Sequence, residues 1–214
     1  MVGGVVCIPS DDLRLNNITL AMNQMHVNCA ILTPSFVGFI NPSDVPGLKT
    51  LTLAGEAMSE SHIKTWSHID LVNGYGPSEC SVAAVVNSRV TFSTPPTHIG
   101  KATGARLWIV DPSDHNRLVP IGCVGELLVQ GPTLARGYHG QADKTAEAFI
   151  PGTAWAPLCG ADKPAWRFYK TGDLVRHCPD GTLMFIGRKD TQVKGKLQFS
   201  TVFLCLQCIS IHAI

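Results

Sequence analysis

The feature of this sequence that most constrains its fold is an alternation of short apolar runs with amphipathic segments up to about residue 88. Apolar runs typical of buried strands occur at residues 5–8, 29–32, 51–53 and 71–72. Helices are predicted between them, from residue 11 or 12 to 25, from 35 to 40, and from a cap at Ser59 to residue 66. Strands and helices that alternate at this spacing favour a mostly parallel β-sheet with flanking helices, an α/β fold.

The sequence changes character at about residue 91. A proline-rich loop precedes short predicted strands at residues 107–110, 126–129 and 183–186, with glycine, proline and aspartate turns between them. This pattern predicts a small β-barrel or sandwich. The chain is therefore divided into an α/β part at residues 1–90, a β-barrel-like part at 91–194 and a tail at 195–214, which is apolar without helical or strand periodicity.

Composition excludes some partners and favours one compartment. Of the 214 residues 45% are hydrophobic, and the net charge of +1 provides no electrostatic basis for binding nucleic acid or an anionic membrane. Eight cysteines are scattered through the chain, and no signal segment begins it. Reduced thiols and a cytoplasmic location are expected.

Residues 73–79, Asn-Gly-Tyr-Gly-Pro-Ser-Glu, read as a polar turn between two buried apolar segments, 69–72 and 82–86. Gly74 and Gly76 allow close approach of a ligand to the backbone. Tyr75 between them is predicted to offer its ring face to a flat ligand. Glu79 supplies an oxygen ligand of the kind that Mg²⁺ prefers. The alternative is an ordinary turn with a surface glutamate.

Two later stretches carry complementary chemistry. Residues 169–173, Tyr-Lys-Thr-Gly-Asp, place Asp173 at a predicted strand end, where its carboxylate can accept hydrogen bonds from the hydroxyls of a ribose. Residues 187–194 combine cations and an acid near the last predicted turn. A capping aspartate and a solvated charge run are the alternatives. Together with residues 73–79, these two stretches supply the groups that a nucleotide site needs. They are an aromatic ring that can stack on a base, one carboxylate for a metal ion, one carboxylate for a ribose, and cations for phosphates.

The order of these motifs resembles the adenylation domains of nonribosomal peptide synthetases, within the adenylate-forming, AMP-binding superfamily. The similarity includes Leu-Ala-Gly-Glu-Ala at 53–57, the stretch at 73–79, Gly-Glu-Leu-Leu-Val-Gln-Gly at 125–131 with Ala-Arg-Gly-Tyr at 135–138, and the stretches at 169–173 and 187–194. It covers about residues 2–194, and the sequence is similar in style to fungal enzymes of secondary metabolism.

The resemblance implies activation of an amino acid. Its carboxylate would attack the α-phosphate of Mg²⁺-bound ATP, giving an aminoacyl adenylate and pyrophosphate. The acyl group would then pass to the phosphopantetheine thiol of a carrier protein. Catalysis in such a reaction is mainly positioning and charge stabilisation. The implied partners are the amino acid and the carrier and condensation domains of a synthetase.

The resemblance also assigns roles to residues. Tyr75 would stack on adenine, Glu79 would bind Mg²⁺, Asp173 would hold the ribose hydroxyls, and Arg188 would approach the ribose or phosphates. Asp190 would be the hinge of a small C-terminal domain. The implied nucleotide-binding set is Asn73, Gly74, Tyr75, Gly76, Ser78, Glu79, Asp173 and Arg188.

A substrate pocket is implied beside the nucleotide. Its wall would consist of Ile31, Thr52, Ala54, Gly74, Val82 and Ala83. These side chains are small and apolar with one hydroxyl, which suits an apolar or aromatic amino acid. The alternative is that they are core residues.

The sequence departs from the family pattern at both ends. The phosphate loop and the aspartate that binds the substrate's amino group are expected upstream of residue 1, and after Lys194 the pattern stops before the lid domain and its catalytic lysine. No catalytic residue is therefore assigned, and the chain alone is expected to be a truncated enzyme with little or no activity. The alternatives are a non-catalytic nucleotide-binding remnant and an acyl- or aryl-CoA synthetase-type ligase.

Overall fold

The computed structural model describes residues 4–160, 167–189 and 206–207, the last pair as backbone only. The chain forms two compact units. Of the described residues, the first unit comprises 4–73, 88–96 and 206–207, and the second comprises 74–87, 97–160 and 167–189. The proposed boundary near residue 90 stays a prediction. Each unit includes a short segment from beyond that boundary, residues 91–96 in the first unit and residues 74–87 in the second.

The first unit contains a parallel strand pair with helices. Its elements are β1 (Val6–Cys7), α1 (Asp11–Asn16), α2 (Ile18–Gln24), β2 (Cys29–Leu32), α3 (Pro34–Val37), β3 (Thr50–Ala54), α4 (Glu60–Trp66) and the start of β4 (Asp70–Tyr75). Strands β2 and β3 pair in parallel, with Cys29 opposite Thr50, and β4 follows β3 in the sheet order. A further strand, β12 (Leu206–Gln207), pairs antiparallel with β1.

Local chemistry explains where the helices of this unit begin. The predicted helix from residue 11 to 25 is two helices, because Asn17 leaves helical geometry at φ −153° and its side chain accepts from Leu20 N–H at the start of α2. Helix α4 follows the predicted Ser59 cap, and Ser59 and His62 form a reciprocal capping box. Its buried side chains, Ile63 and Trp66, join the apolar core with Leu51 and Leu53 of β3.

The second unit is an antiparallel sheet. It begins with the first residues of β5 (Val85–Val90) and continues with β6 (His98–Ala102), β7 (Arg106–Val110), β8 (Val124–Gln130), α5 (Ala142–Ala148), β9 (Phe149–Ile150), β10 (Phe168–His177) and β11 (Leu183–Arg188). The strand order is β5-β6-β11-β10-β8-β7, and β9 pairs with β10. The three strands predicted from the sequence correspond to β7, β8 and β11.

Some elements of the second unit were not predicted. Helix α5 has the sequence Ala-Asp-Lys-Thr-Ala-Glu-Ala, which lacks an apolar face, and none of its residues is buried. Strand β10 is ten residues long and alternates buried with half-buried residues, whereas the sequence indicated only a strand end there. Among the described residues, every helix is too short or too polar to cross a lipid bilayer.

Candidate functional site

The residues predicted to form a polar turn at 73–79 are partly a strand. Strand β4 continues through Asn73 and Gly74 to Tyr75, and a 3-10 helix, Ser78–Cys80, follows the turn at Gly76. A Cβ atom on Gly76 would lie 2.5 Å from the carbonyl oxygen of Val82, so only glycine fits there. The functional side chains of this stretch, Tyr75 and Glu79, therefore leave from a rigid strand end and a short helix.

Tyr75, Asp173 and Arg188 come together in the second unit. The Tyr75 hydroxyl donates to Oδ2 of Asp173, and Nη1 of Arg188 donates to Oδ1 at 3.0 Å. Arg188 also donates to the carbonyl oxygen of Thr171 at 2.7 Å. Asp173 is 2% exposed, and inside the protein the Arg188 guanidinium balances its charge while the Tyr75 hydroxyl donates a hydrogen bond to it. The ring centroids of Tyr75 and Phe185 lie 6.2 Å apart, so the Tyr75 ring packs against Phe185 on one side.

Asp173 occupies an unexpected position in the chain. It lies in the middle of β10, where the sequence predicted a strand end, and directly opposite Arg188 of β11. The pairing of β10 with β8 is irregular between Lys170 and Leu174, and Gly172 in that bulge has φ +68°. The bulge interrupts the ladder and holds the Asp173 carboxylate beside Tyr75.

Burial keeps the tyrosine protonated. Burial first, and then the Asp173 carboxylate, raises the pKa of Tyr75 well above its ordinary value. The hydroxyl therefore remains a donor to Asp173 over the physiological pH range.

Glu79 belongs to a second polar group in the same unit. The Tyr138 hydroxyl donates to Oε1 of Glu79 at 2.7 Å, and the backbone N–H of Ala135 donates to the carbonyl oxygen of Glu79 at 2.7 Å. Thr145 accepts from the Tyr138 N–H at 2.9 Å. The Tyr169 hydroxyl interacts with both Tyr138 and Glu79. The Glu79 carboxylate is thus oriented by tyrosine hydroxyls, and carboxylate oxygens are chemically suited to a hard cation such as Mg²⁺.

Glu126 of β8 is a site residue that the sequence reasoning missed. It is 2% exposed, accepts the Gly172 N–H at 3.2 Å through Oε1, and pairs with Lys189 Nζ at 3.0 Å through Oε2. It therefore joins the β10 bulge to the end of β11, next to the Asp173–Arg188 pair, where the Lys189 N–H also donates to the carbonyl oxygen of Gly172 at 2.8 Å. The available signal was a carboxylate directly before the apolar run Leu-Leu-Val, within the same predicted strand.

We expect Glu126→Gln to lower the free energy of unfolding by about 2 kcal/mol, because the amide keeps the contact to Gly172 but leaves Lys189 without its buried counter-charge. Urea denaturation measures the change. The matched control is Glu147→Gln on the exposed face of α5, for which we expect less than about 0.5 kcal/mol. Equal effects of the two substitutions would contradict this role of Glu126.

The predicted pocket residues are divided between the two units. Ile31 lies in β2, and Thr52 and Ala54 lie in β3, whereas Gly74, Val82 and Ala83 belong to the second unit. The pocket stays a prediction, and the predicted hinge, Asp190, lies outside the described residues.

Val82 differs from the expected buried run at residues 82–86. Its side chain is 71% exposed, and its backbone φ is +78°, a region that β-branched residues avoid. We expect Val82→Gly to raise the free energy of unfolding by about 0.5 to 1 kcal/mol, since glycine removes the strain at the expense of some chain entropy. Val124→Gly in strand β8 is the control and should be destabilising. Urea denaturation measures the change. A loss of stability in Val82→Gly would contradict the hypothesis that the Val82 backbone is strained.

Comparisons with known proteins agree with the motif order. A family model described as "AMP-binding enzyme" matches residues 1–139. Nonribosomal peptide synthetase 1 of Aspergillus fumigatus is 54% identical over 196 residues, which cover 90% of this chain and 3% of that protein. N-benzoylphenylalaninol synthetase apmA of Penicillium brevicompactum is 53% identical over 193 residues, which cover 90% of this chain and 8% of that protein. The chain thus spans a small part of these relatives.

A solved structure is also similar. PA1221, described as an NRPS protein containing adenylation and PCP domains, superposes with a TM-score of 0.69 at 28% identity, over 83% of this chain and 36% of that chain. This likeness confirms the predicted fold class, a β-sheet with flanking helices of the adenylation-domain type.

Proposed function

Because the chain belongs to the AMP-binding enzyme family, we propose that its second unit binds the adenosine part of ATP through Tyr75, Asp173 and Arg188. The observation that carries this proposal is the buried Asp173 carboxylate, held between a tyrosine hydroxyl and a guanidinium. Two oxygens that already accept hydrogen bonds suit the two donor hydroxyls of a ribose. The ribose would replace the Tyr75 hydroxyl or the Arg188 contact, and the Tyr75 ring would then be available to adenine.

Glu79 is the proposed ligand for Mg²⁺. Tyr138 and Tyr169 orient its carboxylate, and the carboxylate oxygens have the hardness that this ion prefers. When bound, the ion would neutralise charge on the phosphates of ATP. The nucleotide set proposed with these residues also includes Asn73, Gly74, Gly76 and Ser78.

The proposed reaction is activation of a carboxylic acid. A carboxylate oxygen forms a bond to the α-phosphorus, and the bond from that phosphorus to pyrophosphate breaks. A thiol sulfur then forms a thioester bond to the acyl carbon of the acyl adenylate, the bond from that carbon to the phosphate oxygen breaks, AMP leaves and the thiol proton passes to solvent. The names of the similar proteins, peptide synthetases and a protein containing adenylation and PCP domains, favour an amino acid as substrate and a carrier-bound phosphopantetheine as acceptor. Carrier and condensation domains are the proposed partners, with an apolar or aromatic substrate and a cytoplasmic location.

Ribose recognition by Asp173 is tested by combining a change in the ligand, the loss of the ribose hydroxyls, with a substitution of Asp173. The full chain is titrated with Mg²⁺-bound ATP and with its 2′,3′-dideoxy analogue by calorimetry. For the unmodified chain we expect the analogue to bind at least about tenfold more weakly than ATP. This loss of affinity corresponds to the free energy of one or two charge-assisted hydrogen bonds. Asp173→Asn should lose most of that difference. Equal affinity of both nucleotides for the unmodified chain would overturn the proposal.

A second measurement separates the candidate functions. Pyrophosphate exchange that depends on an added amino acid supports an amino-acid-activating enzyme. Exchange that depends on a plain carboxylic acid instead supports an acyl- or aryl-CoA synthetase-type ligase. Nucleotide binding with no exchange for either class is the result expected both of a truncated enzyme without activity and of the non-catalytic alternative.

A further inference from the structure

His98, Cys178 and Asp180 form a cluster apart from the proposed nucleotide site. His98 begins β6, and the other two residues lie in the turn between β10 and β11. One ligand atom from each lies within 4.8 Å of the other two. Within the described part of the chain, this is the one group of three histidine, cysteine or acidic side chains close enough to share an ion.

We propose that this cluster is a Zn²⁺ site. An imidazole nitrogen, a thiolate and a carboxylate are a ligand set that Zn²⁺ accepts, whereas Mg²⁺ and Ca²⁺ take oxygen ligands. Three protein ligands leave one tetrahedral position for water. On binding, the thiol of Cys178 releases its proton to solvent, and the ion replaces it on sulfur.

The backbone around the cluster is already ordered. The N–H of Cys178 donates to the carbonyl oxygen of Thr182 at 2.8 Å, and the N–H of Gly181 donates to the carbonyl oxygen of Cys178 at 3.0 Å. The N–H of Thr182 donates to Oδ1 of Asp180 at 3.0 Å, and its hydroxyl donates to the same oxygen at 2.5 Å. These bonds fix the turn that carries two of the ligands, and they leave Oδ2 of Asp180 able to face a cation.

The imidazole is held in position by two neighbours. Nε2 of His98 lies 2.7 Å from the Thr182 hydroxyl, and Nδ1 lies 3.1 Å from Nδ2 of Asn87. With Zn²⁺ on Nε2, the ring proton resides on Nδ1, and a half-turn of the Asn87 amide presents an oxygen to it. In metal sites, a hydrogen-bond acceptor for the ring nitrogen that does not bind the metal commonly orients the histidine ligand. The Thr182 hydroxyl gives up its contact with His98 and keeps the one with Asp180.

The geometry requires a small closure. Bond lengths to Zn²⁺ of about 2.0 to 2.3 Å set ligand separations of about 3.3 to 3.8 Å, so the widest pair must approach by about 1 Å. Asp180 can supply this movement because it is exposed at the tip of the turn. Lys101 lies near enough to act on the Asp180 charge and would compete weakly with the ion. The loaded site would tie β6 to the β10–β11 turn.

The test uses the full chain with Zn²⁺ and, as a spectroscopic probe, Co²⁺. We expect one Zn²⁺ per chain and a rise in Tm of about 5 to 10 °C at free Zn²⁺ near 100 times the Kd. With Co²⁺ we expect a sulfur-to-metal charge-transfer band. Cys178→Ser should abolish the band, and Asp180→Asn, an exposed change that leaves the fold intact, should weaken Zn²⁺ binding at least about tenfold.

Cys123→Ser is the matched control, because Cys123 is exposed and lies outside the cluster. It should leave the band, the stoichiometry and the Tm shift unchanged. The proposal is overturned if Zn²⁺ does not raise Tm, or if the Co²⁺ band survives Cys178→Ser or is lost in Cys123→Ser. It is also overturned if Asp180→Asn binds Zn²⁺ as tightly as the unmodified chain.

Discussion

Asp173→Ala is expected to lower the free energy of unfolding by about 3 kcal/mol and to abolish the proposed nucleotide binding. Removing the carboxylate leaves the Arg188 guanidinium and the Tyr75 hydroxyl without their shared acceptor. Breaking a fully buried pair costs about 3 to 5 kcal/mol, and the lower end applies because Arg188 is 24% exposed and can reach water. Urea denaturation measures the stability change.

Asp143→Ala is the control for this experiment. Asp143 is exposed in the first turn of α5, where its favourable interaction with the helix is about 0.3 to 1 kcal/mol. Asp173→Asn separates the two effects, since it keeps the side-chain volume and one acceptor for Tyr75 while removing the charge. A loss in Asp173→Ala no larger than that in Asp143→Ala would show that the three residues are not an interacting unit.

Gly100→Ala is expected to be the most destabilising of the alanine substitutions at the described glycines, with a loss of about 4 kcal/mol or more. Gly100 lies in β6 opposite Leu183 of β11, at φ +95°. A Cβ atom there would lie 2.2 Å from the carbonyl oxygen of Val86 and 2.4 Å from the backbone nitrogen of Asn87. Backbone strain of about 1 to 3 kcal/mol adds to an overpacking cost of similar size, and neither neighbour can move without breaking the β5–β6 pairing.

Gly122→Ala isolates the backbone part of that cost. Gly122 has a similar φ of +88°, and a Cβ atom there would meet nothing within 4 Å. Gly122→Ala should lower the free energy of unfolding by about 1 to 2 kcal/mol, which is the cost of the left-handed backbone conformation alone. Similar unfolding midpoints for the two variants would show that the close approach of β5 and β6 at Gly100 is absent in solution.

The chain shows which parts of a site follow from local sequence. Tyr75, Glu79, Asp173 and Arg188 were selected because each residue type matched one part of a nucleotide, and the motif order identified the family that the comparisons confirm. Their mutual contacts were not predictable. Tyr75 and Asp173 are 98 positions apart, and only the sheet order brings them within hydrogen-bonding distance.

Two expectations were wrong because backbone contacts overrode the local pattern. Asp173 was expected at a strand end, but β10 continues past it: β8 pairs with β10 on both sides of the bulge, and β11 pairs with Asp173 itself. Val82 was expected in a buried apolar run, but the backbone of residues 82–84 lies against Gly76 and the Val82 side chain is exposed. The first contact joins strands that are distant in the sequence, whereas the second joins residues six to eight positions apart.

The sequence by itself determined the family, the strands of the first unit and the Ser59 cap of α4, whereas the first helix is capped by Ser10 and not by the expected Asp11 or Asp12. Hydrophobic period, capping side chains and motif order are properties of neighbouring residues, and they identified the parallel strands of the first unit and three strands of the second. Only the tertiary structure decided which charges are paired inside the protein. Glu126 joins Lys189 across 63 positions, and His98 meets the β10–β11 turn across more than 75. Such pairs arise from the order of strands in a sheet, and no local pattern records that order.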